Sequence, residues 1–218
     1  MRQLSPNLRG ARPGARLDQV TDPIAVDGGL AVRAMRDRRA DYELMRRWLN
    51  SPHVREWWDP DLPAHTYERV VDEYRPYMTA SSTTTACMIT VDGADAVYIQ
   101  FYPWAGEADY QQQLGLALPA TAWGLDVFIG EQHLLHRGYG RRAVALICAH
   151  LAAERGATEV DLLTELDNLR AQNAYLAAGF TRVAVYLDTD TRHGERVRSW
   201  LMRWEPAGVA RRVGSGAR

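Results

Sequence analysis

The apolar positions of this chain change their period several times, and each change marks an element. Over Arg39–Leu49 they fall at Tyr42, Met45 and Leu49, a spacing that lines one face of a helix. Val32 begins a short strand just before it. A second helical stripe covers 67–77, carried by Val70, Val71 and Tyr74. Two strand-like runs follow, Thr85–Val91 and 96–102. Asp92-Gly93 between them predicts a tight hairpin, because such turns need a positive φ that glycine adopts without steric cost. Further on come a strand at 125–129, a helix at 141–155 closed by Gly156, and a strand at 160–163. Asn168 is placed to cap a helix that ends at Ala178 and Gly179. Two last strands cover 180–187 and 196–204, the second with Trp200, Met202 and Trp204 on one face. The segments 50–63 and 103–122 show no such period and read as loops, the first with room for a short helix. This order predicts an α/β (α+β) fold with a mixed sheet flanked by helices.

Three segments follow from the same pattern. Residues 1–29 are rich in Gly, Pro and Arg and read as an N-terminal extension, residues 30–205 as one domain, and residues 206–218 as a flexible basic tail. No apolar stretch reaches the length of a membrane span, and the arginines of the N-terminus precede no apolar signal core. Cys87 and Cys148 sit in apolar runs and are expected to be buried thiols of a cytoplasmic protein. The six histidines show no metal-ligand spacing, so no metal is expected.

The net charge of −1 conceals a strong asymmetry. Residues 55–131 carry twelve acids against three arginines, a local balance of −9. Such a segment is either a solvated face or a cleft that attracts a cation, and it makes nucleic acid a poor partner.

The segment His136-Arg137-Gly138-Tyr139-Gly140-Arg141-Arg142 lies between a strand and a helix. Two glycines let a ligand approach the backbone, and the free N–H groups of a helix start favour an anion. Arginines there run against the helix dipole unless something negative compensates them, and a pyrophosphate would. Thirty residues on, Asn168, Ala171, Tyr175, Gly179 and Phe180 form an N-x-x-A-x-x-x-Y-x-x-x-G-F run. The two pieces, in this order and spacing, resemble the GNAT superfamily of acetyltransferases. The resemblance implies a twisted sheet with a V-shaped split between central strands and acetyl-CoA as co-substrate. It places Val127, Phe128, Ile129, Arg137, Gly138, Tyr139, Gly140, Arg141, Arg142, Asn168, Ala171 and Tyr175 on that cofactor. Tyr175 either protonates the departing thiolate or packs against the cofactor. Where the family's loop commonly opens with Arg or Gln, this chain has Leu135.

Within the superfamily, three stretches look like aminoglycoside 6'-N-acetyltransferases: Trp48-Leu49-Asn50 through Trp57-Trp58, then 98–102, then 124–129. This likeness implies a small cationic amine as acceptor. Asp126 would take the proton that an ammonium must lose before it can attack, or else it only orients the strand. Trp57, Trp58, Gln100, Tyr102, Trp104, Asp109 and Glu165 are the candidate walls of the acceptor pocket. The two indoles are equally open to a place in the core. The family's late acidic position falls at His193 or a neighbour. A siderophore-type N-hydroxy-lysine acyltransferase and a non-catalytic acyl-CoA-binding module are the alternatives, and the chain is expected to be a monomer or homodimer.

Overall fold

The computed structural model describes residues 23–192 and 195–207. Most of the extension, the C-terminal tail and His193 therefore lie outside the described residues. Eight strands form one sheet in the order β1-β2-β3-β4-β5-β6-β8-β7. They are β1 (Ala25–Asp27), β2 (Leu30–Ala34), β3 (Thr85–Val91), β4 (Ala94–Pro103), β5 (Ala122–Ile129), β6 (Glu159–Glu165), β7 (Thr181–Arg192) and β8 (Glu195–Trp204). The helices are α1 (Arg39–Leu49), α2 (Pro52–Arg55), α3 (Tyr67–Tyr74), α4 (Ala108–Leu114), α5 (Tyr139–Arg155) and α6 (Leu169–Ala177). Every strand pair is antiparallel except β5 with β6. Among the described residues, no helix is long and apolar enough to cross a membrane.

Local chemistry accounts for most of these boundaries. Asp92 and Gly93 both take positive φ, 50° and 87°, and close the β3–β4 hairpin in two residues. The Thr66 side chain accepts from the Arg69 N–H to start α3, and past Tyr74 the segment containing Pro76 tightens into a 3-10 turn. Asn168 caps α6 by accepting from the Ala171 N–H at 3.0 Å. Two sequence expectations are corrected. The sheet begins at Ala25, inside the segment read as an extension, because β1 pairs with β2 along its whole length. The segment read as a loop from 103 to 122 contains α4, whose Tyr110 and Leu114 are buried.

The sheet separates two cores. One face packs Val97, Ile99, Phe101 and Leu125 against Ala143, Val144, Ile147 and Leu151 of α5. The other packs Met88 and Tyr98 against Tyr42, Met45 and Trp48 of α1 and Val70, Val71 and Tyr74 of α3. A smaller third cluster, with Tyr102, Trp104, Tyr110 and Leu114, lies under α4. Cys87 and Cys148 are free and buried, and burial pushes the Cys87 thiol up to about 12.

Candidate active site

Strands β5 and β6 are eight and seven residues long, yet only Ala122–Gly124 of β5 pairs, with 159–161 of β6. Beyond these three pairs β5 stays with β4 and β6 with β8, so the sheet opens into a V. The direction of the open edge can be read from one bond. Gly130 N–H donates to the Ala96 carbonyl at 2.8 Å, so by strand alternation Phe128, Asp126 and Gly124 turn their main chain toward β4. Leu125, Val127 and Ile129 then turn N–H and C=O toward the opening. The Ile129 carbonyl lies 3.0 Å from His53 Nε2 and accepts its hydrogen bond. A cavity of about 780 Å³ fills the V.

One part of the lining of this cavity suits an anion. Arg137, Gly138, Gly140 and Arg141 line it at the start of α5. Gly138 is the N-cap, in the left-handed region at φ 79°, and as a glycine it offers no side chain to cap the helix. The first bond back into the helix start is from Arg142 N–H to Gly138 C=O, so the N–H groups of 139–141 have no acceptor within the helix. A Cβ built on Gly140 would meet nothing of the protein closer than 3.7 Å. Protein packing therefore does not demand glycine there, whereas a ligand laid against the turn would. Asn168, Arg170, Ala171 and Tyr175 of the α6 region form the facing wall.

Another part of the lining suits a cation. Asp126 from β5, Glu165 from β6 and Asp188 from β7 all line it, together with Trp57, Tyr102 and Trp104. Asp126 is held by Gln100, whose Nε2 donates to Oδ2 at 2.9 Å. Asp188 is buried and accepts from the Tyr110 hydroxyl at 2.7 Å, which ties α4 to β7. Burial pushes the Tyr175 phenol above its ordinary range, and the Asp126 charge pushes it further, so the two groups share one electrostatic environment. Burial and then Asp126 act on Tyr102 in the same way.

The structure sorts the remaining sequence candidates. Val127, Phe128 and Ile129 line the opening. Arg142 does not: its guanidinium donates to the Asp27 and Gly28 carbonyls and anchors the β1–β2 hairpin. Tyr139 packs against the α5 core beneath that guanidinium. Asp109 stands outside the cavity, exposed on the first turn of α4, where a carboxylate suits the helix dipole. Gln100 contacts Asp126 and is not part of the cavity wall. Trp58 touches the cavity but is 4% exposed, and it packs edge-on against Phe128 and Tyr98 as core. Trp104 is likewise both wall and core, stacked on Tyr110 and donating to the Asp161 carbonyl.

Sequence reasoning missed His53, Tyr110 and Asp188. Asp188 was concealed because Val183, Val185 and Leu187 are apolar yet 46%, 40% and 49% exposed, which inverts the apparent parity of β7. The usable signal was that an acid ends the alternate row Ala184, Tyr186, Asp188.

Comparison with known proteins agrees with this geometry. The chain is 26% identical over 170 residues to an aminoglycoside N(6')-acetyltransferase type 1 of Klebsiella pneumoniae, covering 73% of this chain and 83% of that one. A Serratia marcescens protein of the same name is 26% identical over 144 residues, covering 65% and 70%. A solved aminoglycoside acetyltransferase AAC(6')-Ib, in complex with ribostamycin and coenzyme A, superposes with a TM-score of 0.72 at 23% identity, over 87% of this chain and all of that one. A GNAT-family acetyltransferase of Bacillus anthracis superposes at 0.64 with 9% identity, over 83% and 97%, and both superpositions speak for the fold. Residues 37–186 match the acetyltransferase (GNAT) domain, and the chain therefore belongs to the GNAT acetyltransferases.

Proposed function

We propose that the protein transfers the acetyl group of acetyl-CoA directly to the 6'-amine of an aminoglycoside. The observation that carries this reading is the mixed lining of one cavity, in which arginines and the N–H groups of a helix start occur together with three carboxylates. A phosphate-rich donor and a polycationic acceptor need both kinds of lining, and the names of the 26%-identical relatives point the same way. A cytoplasmic setting goes with it, since acetyl-CoA is an intracellular metabolite.

The chain's own groups suit the steps. Gly138, Gly140, Arg137 and Arg141 would hold the pyrophosphate, and Val127 N–H, turned to the opening, would polarise the thioester carbonyl. Asp126 takes one proton from the ammonium, directly or through water. The neutral amine then forms the C–N bond as the C–S bond breaks, and its second proton passes through water to the departing thiolate, leaving amide and free thiol. Tyr175 lines the same cavity and would face the departing sulfur. Burial raises its phenol well above a thiol's ordinary pKa of about 8.5, so full proton transfer to the thiolate is uphill. Its role in this reading is to donate a hydrogen bond.

A thiol-release assay with acetyl-CoA tests the proposal. Aminoglycosides with a 6'-amine should release thiol, with the acetyl group found on that nitrogen by NMR of the product. Analogues with a 6'-hydroxyl should not. Asp126→Asn should lower kcat by roughly 10²- to 10⁴-fold while leaving the acetyl-CoA KM near that of the parent. Turnover of hydroxylysine acceptors alone, or acetyl-CoA binding with no turnover of any amine, would overturn the reading.

A further inference from the structure

Asp126 does not stand alone on β5. Gln100 is its direct partner across the β4–β5 ladder, and Tyr98 lies two residues back on the same face of β4. The three side chains form one line of hydrogen bonds. The Tyr98 hydroxyl meets Gln100 Oε1 at 2.7 Å, and Gln100 Nε2 meets Asp126 Oδ2 at 2.9 Å. All three residues are buried, Tyr98 and Gln100 almost completely.

The direction of this line is fixed by what each atom can do. An amide oxygen only accepts, so the hydroxyl must donate to it. With Oε1 engaged by Tyr98, the amide presents its NH₂ to the carboxylate. Turned over, the amide would set oxygen against oxygen at Asp126 and NH₂ against the hydroxyl. The phenol has little freedom to abandon its part. Its ring stacks on Phe128 at 5.2 Å and meets Trp58 and Tyr74 edge-on at 6.0 and 5.5 Å. Burial also keeps the hydroxyl protonated, by pushing its pKa well above the ordinary range.

We infer that Tyr98 and Gln100 are positioning residues for the reaction, a two-residue relay that locks the Gln100 amide with its donor toward Asp126 and so fixes the orientation and charge of that carboxylate. The inference rests on the proposed function for its kinetic consequence, but not for its electrostatic one. A donor held on Oδ2 favours the ionised carboxylate at a site that burial would otherwise make hostile to charge. Tyr98 acts on the acceptor proton from two bonds away, without touching substrate.

Tyr98→Phe deletes the hydroxyl and keeps the ring, so the aromatic packing survives. Released from Tyr98, the amide can turn, and the carboxylate loses a fixed donor. Carbon-13 carboxyl titration of the ligand-free protein reads this directly, with the Asp126 signal identified by its loss in Asp126→Asn. The Asp126 midpoint should rise by about one pH unit in Tyr98→Phe. The acidic limb of kcat against pH should move up with it, kcat at neutral pH should fall several-fold, and the acetyl-CoA KM should hold. Gln100→Met should give a similar shift, and adding Tyr98→Phe to it should give little more, because the hydroxyl then has nothing to orient. An unmoved Asp126 midpoint in folded Tyr98→Phe, or fully additive shifts in the double variant, would overturn the relay. If the midpoint moves while kcat does not, and Asp126→Asn is also fully active, the relay stands and the assignment of Asp126 as base falls.

Discussion

Gly124 and Gly138 are glycines for different reasons, and substitution should separate the two parts of the cavity lining. Gly124 lies opposite Tyr102 in the ladder, and a Cβ there would collide with the ring's Cε2. Gly124→Ala must therefore push Tyr102 off its place on the cavity wall. We expect a loss of about 1–3 kcal/mol, read as a lower Tm, and a raised acceptor KM with little change for acetyl-CoA. Gly138 is constrained by backbone, since φ 79° is hostile to a β-branched residue. Gly138→Val should raise the acetyl-CoA KM by roughly tenfold or more while the acceptor KM holds. A folded Gly138→Val with the parent's acetyl-CoA KM would separate the turn from phosphate binding.

At the scale of elements, the segment from α2 to α3 shows how the indole wall is held. The Asn50 amide grips the His65 backbone at both ends, donating to its carbonyl and accepting from its N–H, each at 2.9 Å. Asp59 approaches His65 at 3.6 Å, and Glu73 faces them from α3. Burial, and then the Asp59 charge, push the Glu73 carboxyl up to about 7. Between its unfolded value near 4.5 and that pH, the folded chain keeps a proton the unfolded chain has lost. This contribution to stability is thus full at low pH and is lost as pH rises through about 7, on the order of 1–3 kcal/mol. Glu73→Gln should abolish it, so the Tm difference between parent and variant should shift by a few degrees between pH 5 and 8. Burial also raises Asp161 into this range, so only that difference isolates Glu73. Elements with their own punctuation were legible in the sequence: the Asp92-Gly93 hairpin, α1 with its stripe, and α6 between Asn168 and Gly179. Helix α4 was not, because seven residues give barely two turns of period and its burial comes from Trp104 and β7. The turn before α5 was legible because Gly138 answers to a local backbone need, its φ of 79°. Of the carboxylates that line the cavity, Asp126 and Glu165 were among the sequence candidates and Asp188 was not, because it reaches the cavity through strand parity set by tertiary packing.

Over the whole molecule, the carboxylates and the split of the sheet meet in one cavity. If the carboxylates steer a polycation, kcat/KM for an aminoglycoside should fall steeply as salt rises, because screening acts over about 8 to 10 Å at moderate ionic strength. A singly charged amine should show a much weaker dependence, and equal slopes would leave the acidic segment a solvated face. The strand order adds a mechanical aspect. Strands β1 to β5 come from residues 25–129 and β6, β8 and β7 from residues 159–204, so the sheet consists of two leaves that are each continuous in sequence. Their shared spine is three residue pairs long. A ligand lying in the gutter touches both leaves and acts as a clasp. Amide hydrogens along 122–124 and 159–161 should therefore exchange sooner than those between β3 and β4, and adding acetyl-CoA should slow the spine far more than the hairpin.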